Sequence, residues 1–160
     1  MARNRMVKSA QYTFLVVDDE ELVRNLVVIL LSKLGHSSIT AIDGVDALDR
    51  MKGNKIDAVI TDIKMPNMDG VVLTNEILKR YPGLPIMVMT SFDGEYSAGG
   101  AISAGAREFI KKPFSPDEFS AQLQKMIDDS ETIKRLKSEK TGNENVQDLM
   151  EELEATLKEN

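Results

Sequence analysis

The sequence has no cysteine and only one histidine. Without cysteine there is no disulfide framework, no thiolate-bound zinc or iron–sulfur centre, and no cysteine nucleophile. A single histidine rules out a multi-histidine metal site and argues against a histidine-based catalytic triad. Any catalytic or metal chemistry must therefore run on carboxylates. Long apolar runs are also missing: none approaches the roughly 18 to 20 residues that span a bilayer. Met1–Ala10 lacks the apolar centre of a signal peptide, so a cytoplasmic protein with no membrane partner is expected.

What is present suits one soluble domain. A chain of 160 residues, 42% hydrophobic, can bury roughly two thirds of the surface it exposes when unfolded. Its 26 acidic and 20 basic residues give a net charge of -6, unevenly placed. Residues 1–11 carry Arg3, Arg5 and Lys8 with no acid, and read as a solvated N-terminal tail. Residues 12–129 hold 18 acidic and 12 basic groups, and residues 130–160 hold 8 and 5. No basic stripe and no nucleic-acid reading module appears, so direct nucleic-acid binding is not expected.

From Tyr12 the chain alternates between short apolar runs and longer segments of helical period. Strands are predicted at Tyr12–Val17, Ser37–Ala41, Asp57–Thr61, Pro85–Met89 and Glu108–Lys111. Helices are predicted at Glu20–Leu34, Asp43–Lys52, Gly70–Tyr81, Gly94–Ala104 and from Pro116 onward. The first should bury Val23, Leu26, Val27, Leu30 and Leu34 and end at a left-handed Gly35; the second should bury Val45, Leu48 and Met51. Five strands alternating with five helices imply right-handed crossovers and a parallel sheet covered on both faces. Ligands then bind beyond the C-terminal strand ends.

The residues at those ends are Asp18 and Asp19, Asp62, Thr90 and Lys112. Three carboxylates crowded together repel, and burying them unpaired would cost several kcal/mol each, roughly. A hard divalent cation resolves this, and Mg²⁺ suits two or three carboxylates with a backbone carbonyl. With an ammonium and a hydroxyl alongside, the site fits a phosphoryl group, whose transfer depends on positioning and charge neutralisation. Asp62 would be the nucleophile. Thr90 would donate a hydrogen bond to one phosphoryl oxygen and Lys112 would pair with another. An isolated aspartate at a strand end is more often a turn former or cap; four strand ends together favour a site. Pro66, Asp69 and Gly70 read as a shaped loop and helix cap. Pro113 reads as a rigid turn, for which a cis bond is one option. His36 is expected at the surface, and Glu20 and Glu21 as helix N-terminal charges.

Four stretches, VVDDE (16–20), TDIKMPNMDG (61–70), PIMVMTS (85–91) and AGAREFIKKPFSP (104–116), resemble the receiver domains of two-component response regulators over about residues 12 to 128. The resemblance implies a flavodoxin-like doubly wound sheet of order 2-1-3-4-5. It implies that Asp62 is phosphorylated by a sensor histidine kinase or phosphotransfer protein. Asp19, Asp62 and the Lys64 carbonyl would hold Mg²⁺, with Asp18 helping through water. Lys112, not Lys111, would take the place of the family lysine. Thr90 would be the switch hydroxyl, Phe109 the switch aromatic that rotates inward, and the fourth helix, fifth strand and fifth helix the face for a downstream protein.

Two departures qualify these expectations. Gly99 and Gly100 fall inside the fourth helix, each costing about 0.5–1 kcal/mol against alanine, so that helix should be soft. Lys64 and Phe92 occupy the positions that flank the attacking water in the family, and their bulk predicts a persistent phosphoryl group. Beyond the resemblance, residues 130–160 should continue the fifth helix to a break at Thr141-Gly142-Asn143. A second helix follows with Val146, Met150, Leu153 and Leu157 on one stripe. This extension could dock on its own domain, pair two chains as a homodimer, or act as a linker. The competing function is a Mg²⁺-dependent phosphatase of the haloacid dehalogenase type. That class wants an Asp-x-Asp after its first strand, whereas Asp18 and Asp19 are adjacent. A receiver fold used only for constitutive contacts is a third reading, opposed by the intact site residues.

Overall fold

The computed structural model describes residues 10–91, 95–141 and 146–159. Its strands are β1 (Thr13–Val17), β2 (Ser37–Ala41), β3 (Ala58–Asp62), β4 (Ile86–Thr90) and β5 (Glu108–Lys111). Its helices are α1 (Glu21–Lys33), α2 (Gly44–Lys52), α3 (Gly70–Arg80), α4 (Glu95–Ala104), α5 (Pro116–Thr141) and α6 (Val146–Glu159). The strands form one parallel sheet in the order β2-β1-β3-β4-β5. Every residue of β3 and β4 is buried, while the edge strand β5 alternates buried and exposed. That is the burial expected of central and edge strands in a sheet covered by helices on both faces.

Burial on the helices differs from the simple stripe expected. On α1 the buried residues are Val27 and Leu31, whereas Leu26 and Leu34 are exposed. On α2 they are Gly44, Ala47 and Met51, and Val45 is exposed. The end of α1 is closed tightly. Gly35 has φ +89°, its N–H donates to the Ser32 carbonyl at 3.0 Å, and the His36 N–H donates to the Leu31 carbonyl at 2.9 Å. This double closure of the last turn delivers His36 inward, not to the surface. His36 is buried between the rings of Tyr12 and Phe14, and its Nδ1 accepts the Tyr12 N–H at 3.1 Å.

The start of α5 fixes the turn that follows β5. Ser115 Oγ accepts the Glu118 N–H at 3.0 Å, and Glu118 Oε1 accepts the Ser115 N–H at 2.9 Å. Phe114 stacks on Phe119 with ring centroids 5.5 Å apart. Together these form a capping box with a hydrophobic staple, for which Ser-x-x-Glu preceded by an aromatic is the sequence signal. The Lys112–Pro113 peptide bond is cis.

The chain divides into two compact units, Met1–Met126 and Ile127–Asn160. The sheet lies in the first. Within the second, α5 runs through Thr141 and α6 starts at Val146; Gly142 and Asn143 of the expected break lie outside the described residues. Among the described residues, no helix is long and apolar enough to cross a membrane.

Candidate functional site

Asp62 and Thr90 are the last residues of β3 and β4, and Asp18 follows the last residue of β1. Register brings them to one edge. Asp62 pairs with Met89, one residue before Thr90, and Thr90 pairs with Lys111, one residue before Lys112. The Lys112 N–H donates to the Thr90 carbonyl at 2.6 Å, which carries the lysine backbone past the strand end. One carboxylate oxygen from each of Asp18, Asp19 and Asp62 lies within 4.8 Å of the others. Asp18, Asp62 and Thr90 are buried, and Asp19 is exposed at the rim.

The sequence folds tightly around these groups. Asp18 Oδ1 accepts the Glu20 N–H at 2.9 Å, and its backbone carbonyl accepts Arg24 Nη1 at 2.7 Å. After β3 the chain turns so closely that a Cβ on Gly70 would stand 2.8 Å from Ile63 Cα. Only glycine permits that approach. Asp69 then caps α3 by accepting the Val72 N–H at 2.9 Å.

Lys112 reaches across the edge. Its Nζ is 3.2 Å from Asp18 Oδ2, 3.3 Å from Asp62 Oδ1 and 3.7 Å from Glu20 Oε1. Burial works against its charge, but the Asp62 and Asp18 carboxylates outweigh burial and hold the ammonium above its ordinary value. Burial also pushes the Asp18 carboxyl up, against the pull of the Glu20 N–H and Lys112. Asp62 is pushed up to about 6, by burial first and the Asp18 charge second, with Lys112 opposing both.

This charge balance fits a divalent cation. One lysine against three clustered carboxylates leaves two negative charges, and the donors are hard oxygens of the kind such an ion prefers. The cluster could thus hold a metal. Lys64, with an exposed side chain, is the second residue of the loop after β3, following Ile63. Phe109 is 40% exposed on β5. Phe92 lies outside the described residues. Sequence reasoning did not single out Arg24, Asp43 or Asn67. The loop-to-helix bond between Asn67 Nδ2 and Asp43 Oδ2, at 2.9 Å, joins residues 24 positions apart, with no local signal.

A doubly wound parallel sheet with clustered acids at the carboxyl end of its central strands is the arrangement that the receiver resemblance implies, and the adjacent Asp18 and Asp19 do not form the Asp-x-Asp of the phosphatase class. The chain belongs to the response regulator receiver domain family, which it matches over residues 14–124. It is 33% identical over 117 residues to the alkaline phosphatase synthesis transcriptional regulatory protein PhoP of Bacillus subtilis, covering 73% of this chain and 49% of that one. It is 36% identical over 113 residues to the response regulator MprA of a Mycobacterium species, covering 71% and 49%. The crystal structure of the receiver domain of NtrX from Brucella abortus superposes with a TM-score of 0.69 at 35% identity, covering 72% of this chain and 98% of that one. The chain spans about half the length of the curated relatives it matches.

Proposed function

We propose that this chain is a phosphorylation-driven switch that takes a phosphoryl group from the phosphohistidine of a sensor histidine kinase, or of a phosphotransfer protein, onto Asp62. The observation that carries this is the acid cluster of Asp18, Asp19 and Asp62 with Lys112 held 3.2–3.3 Å from two of them. In the transfer an Asp62 carboxylate oxygen bonds to phosphorus. The bond from phosphorus to the donor imidazole nitrogen breaks, and its electron pair stays with the imidazole. Asp19, Asp62 and the Lys64 carbonyl would hold Mg²⁺, with Asp18 acting through water. The ion would supply charge neutralisation for the phosphoryl oxygens.

When that Asp62 oxygen becomes part of the acyl phosphate it loses its negative charge, and Lys112 can pair with a phosphoryl oxygen instead. Thr90 donates its hydroxyl to another. Its movement, followed by inward rotation of the exposed Phe109 ring, would alter the face of α4, β5 and α5 that meets a downstream protein. An open groove beside Lys112 is lined by Val23 and Leu26 of α1 and by Pro113 and Phe114.

On this reading residues 12–129 are the receiver, residues 1–11 an N-terminal tail, and residues 130–160 an extension that docks on its own domain, pairs two chains or serves as a linker. The chain acts in the cytoplasm as a phosphoacceptor, with self-phosphorylation and slow loss of the group as its only chemistry. Incubation with acetyl phosphate and Mg²⁺ tests this. A stoichiometric, hydroxylamine-labile acyl phosphate is expected; multiple turnovers of phosphate esters would instead indicate a phosphatase.

A further inference from the structure

The loop 63–69 carries the Lys64 carbonyl and joins β3 to α3. Its base is closed by the Gly70 N–H donating to the Ile63 carbonyl at 2.7 Å. At its far end the backbone reverses within three residues: the Met68 N–H donates to the Pro66 carbonyl at 2.8 Å around Asn67, whose φ is +71°. A tight turn with a left-handed, non-glycine centre is strained, and such strain persists only where neighbouring structure holds it.

Two contacts hold it, and both reach the same place, the N-terminus of α2. Asn67 Nδ2 donates to Asp43 Oδ2 at 2.9 Å. Met68 lies over Gly44 so closely that a Cβ there would be 2.7 Å from its Sδ and 2.9 Å from its Cβ. The two oxygens of Asp43 divide the work, because Oδ1 accepts the Asp46 N–H at 2.8 Å and caps the helix. The Asp46 N–H, and after it the Asn67 amide, hold the Asp43 carboxyl below the usual carboxylate range, so it meets Asn67 as a charged acceptor.

We propose that Asp43 and Asn67 are positioning residues for the cation site, clamping the 63–69 loop to α2 so that the Lys64 carbonyl stays available as a metal ligand. This rests on the reading of Lys64 given under the proposed function. Neither residue contributes a ligand. Their effect is that of an outer-shell partner, whose loss typically weakens metal affinity by about 10–100-fold. The plainer reading makes Asp43 only a helix cap and Asn67 only a turn former, and substitutions separate the two. Asn67→Gly keeps the turn, since glycine adopts positive φ freely, and leaves the Asp43 cap intact while deleting the amide. Asn67→Asp sets carboxylate against carboxylate. Combined with Asp43→Asn it restores a donor–acceptor pair with the donor on the other side, and asparagine caps a helix as well as aspartate does.

The test is calorimetric titration of the full chain with Mg²⁺, alongside thermal unfolding. Asn67→Gly is expected to bind Mg²⁺ about tenfold more weakly with an unchanged or higher unfolding midpoint. Asn67→Asp should also bind more weakly, although its added negative charge alone would favour the cation. The double exchange Asp43→Asn with Asn67→Asp should return to within about threefold of wild type. Wild-type affinity in Asn67→Gly, or a double exchange no tighter than Asn67→Asp, overturns the clamp alone. A wild-type chain that takes up no Mg²⁺, or an Asp62→Asn chain that binds it equally well, overturns the cation site and the clamp with it.

Discussion

At Asp62 two demands conflict, because a nucleophile must be ionised and a buried carboxylate resists ionisation. Burial and the Asp18 charge push its carboxyl from 3.8 up to about 6. A folded value above the unfolded one means that the neutral acid favours the fold. That contribution is complete below about pH 4 and is lost as pH rises through about 6. Without metal, Asp62→Asn should therefore raise stability at about pH 8 by roughly 1–3 kcal/mol, and the gain should vanish toward pH 4. Urea denaturation across that range is the check, and a gain independent of pH would contradict the assignment. By the receiver resemblance Lys64 and Phe92 occupy the positions that flank the attacking water, and their bulk predicts a long-lived acyl phosphate. The Lys64→Asn, Phe92→Glu double variant should lose phosphate faster, as followed by phosphate release, and unchanged or slower decay would count against the idea. The site aspartates, Thr90 and Lys112 were legible because a parallel sheet sends its strand ends to one edge. His36 was not: its burial depends on two rings from β1 and its approach and on the closure after α1, which spacing alone does not show.

Among the elements, strands and helices follow the predicted order, and their ends move by one residue at most where both ends were predicted. The faces were less legible. Residues 22–34 supply more apolar side chains than one helical face can hold, so several overlapping stripes were available. The structure buries the stripe through Val27 and Leu31. In α4 the two glycines differ in setting. A Cβ at Gly99 would meet nothing within 4 Å, and one at Gly100 would stand 3.6 Å from Val71 Cγ2, an ordinary contact. Neither glycine is required by packing, so alanine fits at both positions. Gly99→Ala and Gly100→Ala should each stabilise the fold by about 0.5–1 kcal/mol and slow hydrogen exchange over Glu95–Ala104, with little change in α1. If wild-type α4 already exchanges as slowly as α1, the helix is not soft and the expectation fails.

For the whole molecule, the sheet, the acid cluster and the Asn67–Asp43 clamp all lie within residues 10–126, in the first compact unit. A chain ending at Asp129 is expected to keep one cooperative unfolding transition and full phosphorylation, as read by thermal melting and acetyl phosphate labelling. Loss of either would make residues 130–160 part of the receiver rather than an extension. The break expected at Thr141-Gly142-Asn143 falls largely outside the described residues, and the partner of the α6 stripe is not encoded in four apolar positions. Size-exclusion chromatography with light scattering, with and without beryllofluoride, should show dimers with the full chain and monomers after truncation if the stripe pairs two chains.

The switch turns on one carboxylate. Intact mass measurement after incubation with acetyl phosphate and Mg²⁺ tests it most directly: wild type should gain a single phosphoryl group that hydroxylamine removes, and Asp62→Asn should gain none. An Asp62→Asn chain that gains the same labile group, or a wild-type chain that gains none, would contradict the account.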